Sequence, residues 1–256
     1  MTRLTASLDH APGGLPGQAR HTGRPPAGEA GTVDVWWWRT RESVTAEDLA
    51  LLDGAERERL AQMRHPEHAG EFASCRAAVR RILAPLLDTE PGRIRFGRHA
   101  CPGCGDAEHG PPKVMEPAYS GRISISHSSG IGLLAVSDRP VGVDTEQARR
   151  MPVVDLARKA FASAEADAVC ALPDGPGRLR SFLRGWTRKE AVLKGVGTGI
   201  ATDLKAVGVH PLREGPVTVE AGGAQWRVSD LALPEGWQGA VAVAGAGGAV
   251  RLHRHV

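Results

Sequence analysis

Glu190 and Lys194 stand four residues apart in Arg184-Gly-Trp-Thr-Arg-Lys-Glu-Ala-Val-Leu-Lys-Gly-Val-Gly197, so a helix through this stretch sets them on one face. Leu179, Phe182, Leu183 and Trp186 fall at i, i+3, i+4 and i+7, and Leu193 continues the line, which predicts an amphipathic helix. Glu190 lies in or beside that apolar stripe. A carboxylate there is costly unless a cation or a metal compensates it. A structural Glu190–Lys194 ion pair is one way to meet that cost. Another is suggested upstream, where Pro140-Val-Gly-Val-Asp-Thr-Glu146 reads as a strand whose Asp144 and Glu146, two apart, project to one side. Three carboxylates from a strand and a helix make a hard oxygen site suited to Mg²⁺, an ion that takes one or two protein carboxylates plus waters and substrate phosphates. Asp-x-Glu alone says little, since acidic pairs at strand ends are mostly solvated; its combination with Trp-x-x-Lys-Glu-x-x-x-Lys is informative.

The elements that must hold these groups can be read in order. Residues 1–31 are rich in Gly, Pro, Ala and His without periodicity and read as a disordered, dispensable extension. Val33–Arg39, with Trp36, Trp37 and Trp38, is the first strand, its tryptophans serving packing. Thr45 starts a helix through Leu49 and Leu52 that breaks near Gly54, followed by a charged continuation at 56–60. A second helix begins after Pro66 and runs to about Leu83, with Arg76 and Arg80 on one face. Strands are expected at 123–127 and 131–136 around the turn Ser128-Ser-Gly130, with Ser126 and His127 at a strand end where both can donate to a phosphate. Helices follow at 153–160 and 163–171, the latter capped by Ser163. Glycines 195, 197 and 199 stop the central helix, and strands at 205–209, 217–220, 225–231, 239–244 and 249–254 complete the chain. Cys101-Pro-Gly-Cys104, with His99 and His109 nearby, is half of a zinc site.

Composition narrows the classes. A chain of 256 residues buries a sizeable core, as one domain or two small ones. A net charge of +3 and a pI near 8.8 suit an anionic ligand or an acidic partner but are far from a nucleic-acid-binding extreme. No run approaches the roughly 18 apolar residues of a membrane span, the N-terminus lacks a secretory pattern, and four cysteines give no disulfide framework. A cytoplasmic location is expected.

Taken together, Ser126-His127-Ser128, Gly142-Val-Asp144-Thr-Glu146, Phe161-Ala-Ser163-Ala-Glu165 and Trp186-Thr-Arg-Lys189-Glu190-Ala-Val-Leu-Lys194 resemble the signature of 4'-phosphopantetheinyl transferases. The likeness is to the longer, surfactin-synthetase-activating type and spans residues 33–245. It implies an α+β pseudo-dimer: an N-terminal half over 32–139 and a C-terminal half over 140–256, with the site between them in a monomer. It also implies transfer of the phosphopantetheine arm of coenzyme A (CoA) to a serine of apo acyl or peptidyl carrier proteins, with release of 3',5'-ADP, as in polyketide and nonribosomal peptide biosynthesis. Asp144, Glu146 and Glu190 would then hold Mg²⁺, with Asp144, Glu190 and Lys194 catalytic. Arg76 matches the residue that binds the 3'-phosphate of CoA; Arg57, Arg59, Lys113, Ser126, His127, Lys189 and Lys194 are further ligand-binding positions. The chain departs from the family pattern at Gly110-Pro-Pro112, where Pro111 replaces a basic residue and Lys113 is expected to take over. Two other classes remain open: another Mg²⁺-dependent nucleotide enzyme such as a nuclease, which leaves Arg76 and Ser126-His127 unexplained, and a zinc-ribbon interaction module on Cys101 and Cys104.

Overall fold

The computed structural model describes residues 32–106, 109–198 and 203–256, so the expectations for 1–31 and for a helix stop at Gly199 lie outside the described residues. In chain order the first part holds β1 (Val33–Arg39), α1 (Ala46–Leu51), α2 (Gly54–Ala61), α3 (Pro66–Leu86), β2 (Arg95–Arg98), β3 (Pro112–Glu116), β4 (Arg122–Ser128) and β5 (Ile131–Ser137). The second holds β6 (Val141–Gln147), α4 (Val153–Ala160), α5 (Ser163–Cys170), α6 (Pro176–Val196), β7 (Val217–Ala221), β8 (Ala224–Asp230), β9 (Trp237–Ala244) and β10 (Val250–Arg254). The architecture is mixed α+β.

Two four-stranded sheets carry the fold, in the orders β10-β1-β5-β4 and β6-β9-β8-β7, with a separate β2-β3 hairpin. Among the described residues the named strands pair antiparallel except β1 with β10, so β10 joins the sheet of β1. Alternation along β1 shows why the sheets stack. Val33 and Val35 turn toward Val141, Val143, Val241 and Val243 of the second sheet, while Trp38 turns toward Val79, Ile82 and Leu83 of α3. On the far side α6 lays Ala191, Val192 and Leu193 against Val217, Val219, Trp226 and Val228. The layers thus run α3, first sheet, second sheet, α6.

The break near Gly54 forms as expected, because Asp53 and Glu56 make a reciprocal capping box that starts α2 afresh. Several other local expectations need correction. Gly195 lies inside α6; the helix ends at Gly197, whose φ of 88° is left-handed. Ser163 is the first residue of α5 and supplies no cap; the N-cap is Ala162. No strand forms at 205–209. A 3-10 turn at Leu204–Ala206 is followed by Val207 and Val209, which pack into the α6 core. The amides of Val209 and His210 go to Glu165 Oε1, both at 2.7 Å, instead of to a neighbouring strand. The β2-β3 hairpin was not anticipated.

Candidate active site

The site begins at a seam between β4 and β6. Ser124, Ser126 and Ser128 recur at the two-residue period of a strand and share one side of β4. Ser124 Oγ accepts from the Val143 amide at 3.1 Å, Ser126 Oγ donates to Asp144 Oδ1 at 2.9 Å, and Ser128 Oγ donates to Glu146 Oε2 at 3.0 Å. Helix α6 lies directly on β6 because Gly142 has no side chain: a Cβ there would stand 1.9 Å from the Ala191 carbonyl oxygen and 2.4 Å from the Gly195 nitrogen. This contact delivers Glu190 and Lys194 to the seam. Lys194 Nζ sits 2.6 Å from Asp144 Oδ1 and 2.9 Å from Ser126 Oγ. The lysine's recorded partner is therefore Asp144, and the simple Glu190–Lys194 ion pair is not what forms.

Enclosure first, and then the charge of Asp144, push the carboxyls of Glu146 and Glu190 above their ordinary range; Lys194 pulls both back in part. At Glu146, hydrogen bonds from Ser128 and the Trp186 indole oppose the rise as well. Glu146 and Glu190, raised in this way, stand with Asp144 in a carboxylate site that a bound cation would relieve. Asp144 Oδ2 is buried without a hydrogen-bond partner, an arrangement costly unless a cation meets it. The donor set is all oxygen, as Mg²⁺ requires. The three are not drawn tightly together: among the described residues the one group of three or more His, Cys, Asp or Glu with ligand atoms within 4.8 Å of one another is Cys101, Cys104 and His109. The acidic trio thus fits an ion that keeps waters and substrate oxygens in its sphere.

Lys194 also lines an adjoining cleft of about 470 Å³. Its walls carry Arg59 of α2, Arg76 of α3, Arg98 of β2 and His127 of β4, a basic lining suited to phosphates. Glu56 buttresses it, holding Arg76 through Nε and the fully buried Arg80 at 2.8 Å. Burial raises the Glu56 carboxyl, but the charge of Arg76 and the hydrogen bond from Arg80 outweigh this and its pKa is lowered. The His127 imidazole is held below its ordinary value, by enclosure first and then by Lys194, Arg59 and Arg76. Cys75 lines the cleft too, but burial pushes its thiol up to about 12 and it is no nucleophile at neutral pH.

Four expected ligand positions are not brought to the cleft. Ser126 is buried in the Asp144–Lys194 network. Arg57 is exposed and donates through Nε to the Leu52 carbonyl at 3.0 Å. Lys113 does not line the cleft; Arg98, opposite Pro112 in the β2-β3 register, does, and it donates to the Gly110 carbonyl at 2.9 Å. Lys189 is completely buried, donates to the Leu204 carbonyl at 2.5 Å and stands over the Phe161 ring, with burial drawing its ammonium down to about 8. It faces the core of the second half because the next position on a helix turns about 100° away from Glu190. Arg98 was missed because β2 is four residues long and carries no periodic signal.

The 4'-phosphopantetheinyl transferase superfamily model matches residues 140–242, the segment that carries Asp144, Glu146, Glu190 and Lys194. The 4'-phosphopantetheinyl transferase HetI of Nostoc sp. is 32% identical over 224 residues, covering 84% of this chain and 89% of its own. A putative 4'-phosphopantetheinyl transferase of Synechocystis sp. is 30% identical over 177 residues, 68% of each chain. The 4'-phosphopantetheinyl transferase Sfp of Bacillus subtilis is 23% identical over 172 residues, 67% of this chain and 72% of its own. A carboxylate seam joined by a lysine to an arginine-lined cleft, together with similarity across most of a family member's length, makes this chain a member of the 4'-phosphopantetheinyl transferases.

Proposed function

We propose that the chain moves the phosphopantetheine arm of CoA onto a serine of apo carrier proteins and releases 3',5'-ADP, with Asp144, Glu146 and Glu190 as the Mg²⁺ ligands. The observation that carries this reading is Lys194, which joins the carboxylate seam to the basic cleft. Mg²⁺ held there supplies Lewis-acid polarisation of the pyrophosphate. The protein's own groups do the rest. Arg76, Arg59, Arg98 and His127 hold the phosphates of CoA. Glu190 takes the proton of the carrier serine as the serine oxygen bonds the phosphorus bearing the pantetheine. The bridging P–O bond breaks with its electron pair leaving on 3',5'-ADP, and Lys194 meets the charge that develops. Incubation with CoA, Mg²⁺ and a panel of apo carrier proteins, followed by intact mass, tests this. A gain of one phosphopantetheine is expected, and an unchanged mass across the panel counts against it.

The division into halves at 139/140 is part of the same reading. Each long helix of 21 residues backs one sheet, α3 the first and α6 the second, and β10 crosses back to β1. That repetition supports a pseudo-dimer with its site at the β4–β6 seam. One chain supplies both sides of the seam, so a monomer is expected; activity that falls on dilution with a dimer seen by light scattering would overturn it. A cytoplasmic location belongs to the same reading; among the described residues no helix is long and apolar enough to cross a membrane.

The cleft assignments separate by ligand. Arg76→Ala and His127→Ala should raise the KM for CoA with a smaller change in kcat, each losing a phosphate hydrogen bond worth about 1–3 kcal/mol. Both should cost less with dephospho-CoA, which lacks the 3'-phosphate; equal penalties with the two substrates would remove these residues from that phosphate. Arg98→Ala should raise the KM about tenfold while Lys113→Ala changes it little, and the reverse order would restore Lys113.

A further inference from the structure

We propose that Cys101, Cys104 and His109 bind one zinc ion, which braces the loop walling the CoA cleft. The turn between the cysteines is already closed. The Cys101 amide donates to the Asp106 carbonyl at 2.7 Å, the Gly105 amide donates to the Cys101 carbonyl at 2.8 Å, and Gly105 takes a left-handed φ of 79°. Cys101 Sγ receives the amides of Gly103 and Cys104 and the Cys104 thiol. Cys104 Sγ and His109 Nε2 are 3.2 Å apart, and the ligand atoms of all three residues lie within 4.8 Å of one another. Zinc bonds of about 2.0–2.3 Å set tetrahedral ligand edges of roughly 3.3–3.8 Å, a spacing these side chains reach with small rotations. Two thiolates and an imidazole select zinc over magnesium, so this centre is chemically separate from the carboxylate seam. The Asp106 carboxylate stands 3.6 Å from His109 Nε2, beside this group. His99 is not a ligand: its ring faces the Arg122 guanidinium at 2.9 Å.

The knuckle has a structural task. A Cβ on Gly197, the residue that ends α6, would lie 2.4 Å from Pro111 and 3.3 Å from Pro102, so the loop rests on the end of the helix that carries Glu190 and Lys194. His109, Gly110, Pro111 and Pro112 line the cleft, and the Gly110 carbonyl holds Arg98. An ion fixing both ends of this loop would set the wall against which CoA binds without touching the reacting atoms.

Elemental analysis of the full chain, purified without a histidine tag, should give one zinc per chain. Cys104→Ser should lose it, and Co²⁺ reconstitution should give a thiolate-to-cobalt charge-transfer band absent from that variant. A zinc-selective chelator should lower the thermal midpoint of the unaltered chain by several degrees, with recovery on zinc add-back, a measurement that stands even if Cys104→Ser folds poorly. Cys104→Ser should also raise the KM for CoA several-fold with kcat within twofold. Zinc below a tenth of stoichiometry after reconstitution, zinc retained in Cys104→Ser, or a Cys101–Cys104 disulfide in the freshly purified chain would overturn the proposal. Metal content and midpoint are read without CoA or Mg²⁺, so their outcome is independent of the transferase site.

Discussion

Glu190→Gln is expected to lower turnover about 10²-fold or more, the scale of a lost general base, while the chain keeps or slightly raises its thermal midpoint. Two features set these opposite directions. Glu190 is half-buried beside Asp144 and Glu146, and burial first, then the charge of Asp144, raises its carboxyl above the ordinary range. Its ionised form is therefore disfavoured in the folded chain, and a neutral amide of nearly equal volume relieves repulsion. The stability cost of ionising a carboxyl with a raised folded pKa is absent below the unfolded value and grows as pH rises toward the folded one, because over that interval the native state binds more protons than the unfolded state. Without metal, stability should therefore decline between the ordinary glutamate pKa and the raised values of Glu146 and Glu190, less steeply in Glu190→Gln. Turnover runs the other way, falling as pH drops and Glu190 takes up a proton, a dependence that Glu190→Gln should lose. Melting and rate profiles of both proteins check the pair of slopes. A Glu190→Gln chain that melts early and turns over normally would make the residue structural.

How much of this was legible in the sequence depends on the range over which each feature is encoded. The Glu190–Lys194 face follows from helical spacing, and the Asp144–Glu146 pair from the period of a strand; both are local. The partner of Lys194 was not legible, because it depends on the close approach of α6 to β6 over Gly142 and on the serines of β4 meeting β6 side on. Ser126 was expected at the nucleotide for the same reason: a strand pattern says which residues share a side, but not what that side meets. Lys113 was chosen by nearness along the chain to Pro111, whereas the residue placed on the cleft wall is Arg98, across a hairpin pairing that a four-residue strand does not announce. The valines at 207 and 209 alternate as a strand would, and pack as expected, yet their backbone is satisfied by Glu165.

Lys194→Ala is expected to lower turnover about 10²–10³-fold, the range for removing one preorganised donor to developing charge, and to destabilise the chain as well. Here the two effects share a direction, so they must be separated. Asp144 is 4% exposed and Lys194 Nζ is 2.6 Å from its Oδ1, with Ser126 as the remaining donor to that oxygen. Removing the partner of a buried charge costs about 3–5 kcal/mol in the fully buried limit. The lysine side chain is 30% exposed, which reduces this to about 1–2 kcal/mol. If the carboxylates hold Mg²⁺, the ion can replace the missing charge on Asp144, and Mg²⁺ should raise the midpoint of Lys194→Ala by more than it raises that of the unaltered chain. Turnover should stay low at saturating Mg²⁺, because an ion on the carboxylates does not restore the ammonium at the departing phosphate. Recovery of turnover together with stability would show that Lys194 serves only to neutralise Asp144. A rate within threefold of the unaltered chain would remove it from the chemistry.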